Sequence, residues 1–285
     1  MFHPPAIRNI LVPTDFSSDS DVALAHALRL TLAFKGELDL LHVEPDNDTT
    51  DWTWAPHIVE TLCRWGYLDR AAAPHDLASL GIRARQTLTT GVAPAQAILE
   101  EIAASHADLV VLATHGRAGL ERLLQPSVTN AVLRRRPVPI LLLPAGCRGF
   151  VDVQTGELTM SRVLVPIAAT PNPAPAFDAA VQILRALQDG EAQIATLHVG
   201  AGHPEAELMR PDPGWRVFHW NATGGVVDNI VDVATTWTAS MVVAVSEGRR
   251  NYLDELRGST VERLVERSKT PVLIVPADWG STDVS

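Results

Sequence analysis

The feature that most constrains this chain is a set of short, branched, apolar runs that occurs twice in the same order. Ile10-Leu11-Val12-Pro13 recurs as Val163-Leu164-Val165-Pro166, and Leu38–Val43 recurs as Ile194–Val199. Leu109–Ala113 recurs as Met241–Val245, and Pro137–Pro144 as Thr270–Pro276. Runs repeated in one order over such long segments mark a duplicated domain rather than a solenoid unit. The chain has 285 residues. That is about twice the usual ~100–150 residues of a domain, so each copy can bury its own core.

Runs this short and apolar read as strands buried on both faces of a parallel sheet. Helical spacing fills the gaps between them. Leu24, Leu28 and Leu32 recur at i, i+4, i+8 and are answered by Phe177, Val181 and Leu184. Ile98, Leu99 and Ile102 are answered by Val227, Ile230 and Val231, and Val132-Leu133 by Val261, Leu264 and Val265. One further run in each copy alternates, Ile82–Leu88 and Trp215–Trp220, which predicts an edge strand with one wetter face. Each half therefore reads β-α-β-α-β-α-β-α-β. Right-handed crossovers turn that into an α/β domain, an open and mostly parallel sheet with helices on both faces. The second helix of the first copy is expected over roughly 52–79, while residues 200–214, rich in Gly and Pro, are expected to be mostly loop. The expected units are 1–148 and 149–285, with a polar linker at about 145–160.

Composition excludes several function classes. Net charge is −10. The first 150 residues carry 13 Lys+Arg against 16 Asp+Glu (−3), and the rest 10 against 17 (−7). Neither half has the basic footprint of a nucleic-acid binder. No apolar run approaches the ~20 residues that span a bilayer. Met1–Pro5 shows no basic segment leading into an apolar one, so no signal peptide is expected. Cys63 and Cys147 form no metal or redox spacing. Free thiols in the cytoplasm are the simplest expectation, and the ten histidines show no metal-ligand spacing.

Ligands of such sheets sit beyond the carboxyl ends of the strands, where strand order reverses. Three segments of the first copy fall there: Pro13-Thr14-Asp15, His42-Val43, and the stretch from Ala113 to Thr129. In the last, Gly116 follows a strand, and a Ser127-Val128-Thr129 segment opens a helix after a spacer. Glycine lets backbone N–H groups approach a phosphate, and the helix start adds hydroxyl donors and positive potential. A tight turn followed by an ordinary capped helix is the alternative. His42 and His198 end equivalent strands and either face a ligand or bond locally.

At these residues the chain resembles the universal stress protein family in its tandem, two-domain form. The resemblance rests on Ile10–Asp15, Leu41-His42-Val43, Thr114-His115-Gly116-Arg117-Ala118-Gly119-Leu120 and Ser127-Val128-Thr129. It implies two flavodoxin-like domains, each a five-stranded sheet of order 3-2-1-4-5. It also implies, in one branch of the family, an ATP or AMP site with the pattern Gly-x2-Gly-x9-Gly-Ser/Thr. Carried over, Asp15 would hold the ribose hydroxyls, while Pro13, Thr14 and Val43 frame the adenine. Gly116, Ser127, Val128 and Thr129 would hold the phosphates, and Ala113, His115 and Arg117 would complete the site. The resemblance further implies that the last strands of the two halves pair as an internal dimer. A homodimer of whole chains is an added expectation.

Each copy departs from the pattern differently. The first reads Ala113-x2-Gly116-x9-Pro126-Ser127 and keeps Asp15. Pro126 has no N–H for a phosphate, though it suits the first turn of a helix. The second reads Val245-x2-Gly248-x9-Gly258-Ser259 with Thr260 next, flanked by Arg249 and Arg250. Its acidic position is Ala168, Glu247 puts a carboxylate in the loop, and Ser259-x-x-Glu262 also reads as a capping box. The leading expectation is a cytoplasmic stress-response protein that binds ATP, ADP or AMP in its first half as a regulatory module. Gly248, Gly258, Ser259 and Thr260 form the weaker second site. A nucleotide-free scaffold with two degenerate sites is the alternative. No nucleophile–base constellation is legible, so hydrolysis would be at most slow and incidental.

Overall fold

The computed structural model describes residues 5–44, 55–114, 126–135, 138–188, 190–202, 211–246 and 260–280. The apolar runs of the first half form parallel strands β1 (Asn9–Thr14), β2 (Glu37–Glu44), β3 (Arg83–Thr90), β4 (Leu109–Ala113) and β5 (Ile140–Leu143). Those of the second form β6 (Arg162–Ile167), β7 (Gln193–Val199), β8 (Arg216–Ala222), β9 (Met241–Ser246) and β10 (Val272–Pro276). Helices α1 (Ser18–Phe34), α2 (Ala55–Arg64), α3 (Pro94–Ala104) and α4 (Pro126–Arg135) belong to the first half; α5 (Ala174–Leu187), α6 (Val226–Thr236) and α7 (Thr260–Arg267) belong to the second.

The strands run β3-β2-β1-β4-β5-β10-β9-β6-β7-β8 in one ten-stranded sheet. Each half therefore has the order 3-2-1-4-5. The halves meet where β5 and β10 pair antiparallel, Leu141 opposite Leu273, with every residue of both strands buried. Pairing here removes two apolar edges that would otherwise invite association. The alternating strands β3 and β8 are the outer edges, as the sequence predicts. A buried Asp39 on β2 ties β3 to the sheet. Its Oδ2 lies 2.6 Å from Arg85 Nη2, which also lies 3.0 Å from Glu101 Oε1 on α3. Burial, then the neighbouring Asp39, pushes the Glu101 carboxyl up to about 7.

The segment between β5 and β6 does more than span a gap. Phe150, Val151 and Met160 are buried, and Trp65 Nε1 donates to the Val153 carbonyl at 3.0 Å. His26, fully buried on α1, shares its Nδ1 proton with the Val22 carbonyl at 2.7 Å. Its Nε2 accepts from the Phe150 and Val151 amides at 2.9 and 3.2 Å. Gly149 has φ 67°, and a Cβ there would overlap the His26 ring. The helix expected over 52–79 is shorter than its pattern. It ends at Arg64, because Gly66 turns left-handed at φ 77° and its N–H returns to the Cys63 carbonyl. A short 3₁₀ helix, Pro74–Leu80, follows before β3. No described helix is long and apolar enough to cross a membrane.

Candidate functional site

A proline in the same place in each half decides where a crevice opens. Pro13 stays in register with β2, opposite Leu41, with Thr14 opposite His42. On its other side β1 pairs with β4 at Ile10–Leu109 and Leu11–Val110 and no further. β6 repeats this: Pro166 lies opposite Leu197 of β7, while pairing with β9 ends at Leu164–Val242. Proline has no N–H to give a ladder. The strands part beyond it, at the reversal of strand order where open parallel sheets bind ligands.

Asp15 follows at once in the first half. Its Oδ1 accepts from the Ser17 amide at 3.0 Å and the Ser20 hydroxyl at 2.5 Å. Ser17 caps α1, its hydroxyl accepting from the Ser20 amide at 3.2 Å. The carboxylate is thus held at a helix N-terminus, where the dipole favours negative charge. Thr14 is buried, and its Oγ1 accepts from the Phe16 amide at 3.0 Å. Phe16 turns left-handed at φ 59°, placing its ring 4.7 Å from that of His42 and 5.8 Å from that of His57 on α2. His42 bonds locally, its Nδ1 2.9 Å from the Thr14 carbonyl. Burial raises the Asp21 carboxyl, while His57 and Arg64 pull it down and Asp15 adds to the rise.

Across the gap, β4 ends at Ala113, opposite Leu143 of β5, and the Thr114 amide donates to the Leu143 carbonyl at 2.8 Å. α4 opens at Pro126. Val128 and Thr129 in its first turn are buried, and Thr129 Oγ1 has no hydrogen-bond partner among the described residues. Val43 is buried on β2. His115, Gly116 and Arg117 lie outside the described residues, as does the side chain of Ser127, whose backbone belongs to α4. Pro13, Thr14 and Asp15 are thus consecutive at one crevice, with Val43 on the neighbouring strand. The packing of Phe16 against His42 and His57 beside these residues was not legible in sequence. The left-handed turn after Asp15 that brings their rings together has no glycine or asparagine to announce it.

In the second half Ala168 follows β6 and is exposed. Ala168 and Thr260, the first residue of α7, line a cavity of about 280 Å³ at the carboxyl ends of β6, β7 and β9. His198 Nδ1 lies 3.2 Å from the Ile167 carbonyl, repeating the His42 arrangement. Gly248, Gly258 and Ser259 lie outside the described residues, with Glu247, Arg249 and Arg250. Among the described residues no group of three or more His, Cys, Asp or Glu is placed to hold a metal.

The universal stress protein family model matches residues 6–144 and 219–276, well over half of the chain and a part of each half. The chain belongs to the universal stress protein family. A curated family member from Methanocaldococcus jannaschii is 29% identical over 142 residues, 48% of this chain and 81% of its own. Among solved structures, a universal stress protein from Archaeoglobus fulgidus superposes with a TM-score of 0.64 at 19% identity, covering 96% of this chain and 97% of that one. One described as putative, from Pseudomonas aeruginosa, gives 0.64 at 17% identity over 95% and 94%. At those identities the likeness is one of fold, and it extends over both halves.

Proposed function

We propose that the first half, residues 1–148, binds an adenine nucleotide in the crevice between β1 and β4 and serves in the cytoplasm as a regulatory stress-response module. The second half, residues 149–285, supports it as an internal partner. The observation that carries the reading is the Asp15 carboxylate, held at the end of β1 where β1 parts from β4. Beyond β4, the first turn of α4 holds the buried Thr129 hydroxyl, which has no hydrogen-bond partner among the described residues. A buried hydroxyl without a partner costs about 1–3 kcal/mol, which a phosphate or ribose oxygen would relieve. In this reading Asp15 accepts from the ribose hydroxyls, Pro13, Thr14 and Val43 flank the adenine, and the Ala113–Thr129 segment meets the phosphates.

Calorimetry with ATP, ADP and AMP tests this. Saturable binding is expected. Asp15 also clamps the start of α1, so Asp15→Asn is the sharper variant: its amide oxygen keeps the bonds from Ser17 and Ser20 while the charge is lost. Loss of a charged hydrogen bond should weaken binding by about tenfold or more. No heat and no thermal shift with any of the three nucleotides would overturn the reading in favour of a nucleotide-free scaffold.

A further inference from the structure

Asp39, Arg85, Thr87 and Glu101 bring three elements of the first half to one point. Asp39 is buried on β2, and its Oδ1 accepts from the Thr87 hydroxyl of β3 at 3.3 Å. Its Oδ2 and Glu101 Oε1 of α3 lie on the same nitrogen, Arg85 Nη2, at 2.6 and 3.0 Å. The Asp39 side chain is 5% exposed and that of Glu101 12%, so two carboxyl groups share one cation largely out of water. One guanidinium balances one carboxylate. The second carboxyl keeps a proton, which joins it to Asp39 in a hydrogen bond. The charged groups around the cluster are exposed or engaged elsewhere. Glu37 of β2 pairs with the exposed Arg83 of β3 at 3.2 Å, and Glu100 of α3 accepts from Gln96 at 2.8 Å. β1 offers Leu11 opposite Asp39. His75 and Asp76, on the 3₁₀ helix beside β3, face each other at 3.5 Å. On α4, which packs against α3, Arg135 is exposed and the Arg134 side chain lies outside the described residues.

The second half has the same register and the opposite chemistry. β7 and β8 pair Ala195 with Phe218 and Leu197 with Trp220, where β2 and β3 pair Asp39 with Arg85 and Leu41 with Thr87. α6 is as long as α3, and Val233 takes the position of Glu101. Phe218 and Trp220 pack against Trp237 at the end of α6, ring centroids 6.3 and 5.1 Å apart. His219 lies in the alternate register of β8, its Nδ1 2.8 Å from Thr196 Oγ1. We infer that the outer edge of the first half, β3 with α3, is closed by a proton-dependent latch, in which Asp39 and Glu101 share Arg85 while one of the two carboxyls is protonated and part when that proton is lost. The outer edge of the second half has an apolar contact in its place. Two carboxylates beside one guanidinium repel, and the strand that yields is the edge strand, which has a neighbour on one side only. This inference does not depend on nucleotide binding by the first half.

Burial, more than any other cause, pushes the Glu101 carboxyl up to about 7 from an ordinary value of 4.5. The folded value lies above the unfolded one, so the latch is complete below about 4.5 and is lost as pH rises from there through about 7. His26 acts in the opposite direction and cannot mimic this. Asp178 on α5, raised to about 6 by burial, acts in the same direction on the second half, which makes β8 the control. Hydrogen exchange of the full chain, corrected for the intrinsic chemistry of exchange, reads the opening of each edge. Between pH 5 and pH 8 the opening constant of the β3 amides bonded to β2 should rise about tenfold or more, and that of the β8 amides bonded to β7 should not follow. Glu101→Gln keeps a donor toward Asp39 and cannot ionise, so it should remove the rise at β3. Carboxyl-carbon NMR gives a second readout: Glu101 should titrate near neutrality in the unaltered chain and return to the ordinary carboxyl range in Asp39→Asn. Glu101 titrating in the ordinary range from the start, or unmoved by Asp39→Asn, would overturn the inference. So would β3 opening that ignores pH, a rise that persists in Glu101→Gln, or an equal rise at β8.

Discussion

His26 shows how one side chain can fasten two halves of a chain. Its Nε2 receives two amides of the segment joining them, and its other nitrogen is committed to Val22. A proton on Nε2 would face two N–H groups, and burial adds its own penalty. Burial lowers the pKa to about 4. The folded value lies below the unfolded ~6.5, so the stability this histidine contributes is complete above pH 6.5 and is lost as pH falls from there through about 4. A shift of that size corresponds to about 3 kcal/mol. Denaturant unfolding at pH 7 and pH 4.5 should show most of that difference. His26→Gln should cost about 1–3 kcal/mol at pH 7 by leaving an amide unpaired. It should also show a smaller decline between the two pH values; an unchanged decline would assign the pH dependence to other groups. None of this is legible in sequence. His26 sits within an apolar helical face, and its partners lie 124 and 125 residues away. The complement is Gly149, where the absence of a Cβ is what lets the amides approach. Asp15, Thr14 and Pro13 could be proposed from sequence because all three lie within one short segment at a strand end. The contact of Phe16 with His57 could not, because it depends on a left-handed turn by a phenylalanine.

Among the elements, strands were the most legible, since burial on both faces leaves only branched apolar residues to choose from. The two edges were legible for the opposite reason, that an alternating strand has one face in water. α2 was overdrawn. Trp52, Trp54 and Trp65 suggested a long helix, but Gly66 ends it whatever the apolar pattern beyond. The join between β5 and β10 came from the family resemblance, because an apolar strand does not name its partner. Its energetics can be tested against an edge. Leu141, buried opposite Leu273, should not tolerate a charge: Leu141→Asp should cost more than about 3 kcal/mol in denaturant unfolding. Leu88 on edge strand β3 is 48% exposed, and Leu88→Asp should change stability by no more than about 1 kcal/mol. Equal costs would mean that the central pair does not hold the sheet together.

At the scale of the molecule the duplication is symmetric in backbone and asymmetric in charge. Both halves break strand pairing at a proline, anchor a histidine on the following carbonyl, and open a crevice at the reversal of strand order. A twofold fold would ordinarily argue for two equal sites. Against that, β1 of the first half runs into a carboxylate, while the described residues lining the second crevice are prolines, aliphatic groups and two threonines. Long-range charge points the same way. The first 150 residues carry −3 and the remainder −7, so a polyanionic nucleotide meets greater repulsion at the second crevice, an effect that salt would screen. Native mass spectrometry of the 30.8 kDa chain with excess ATP should therefore show one nucleotide bound and no second at low ionic strength. Two nucleotides per chain would show that backbone symmetry outweighs the difference between Asp15 and Ala168, and the two crevices would then have to be treated as equivalent.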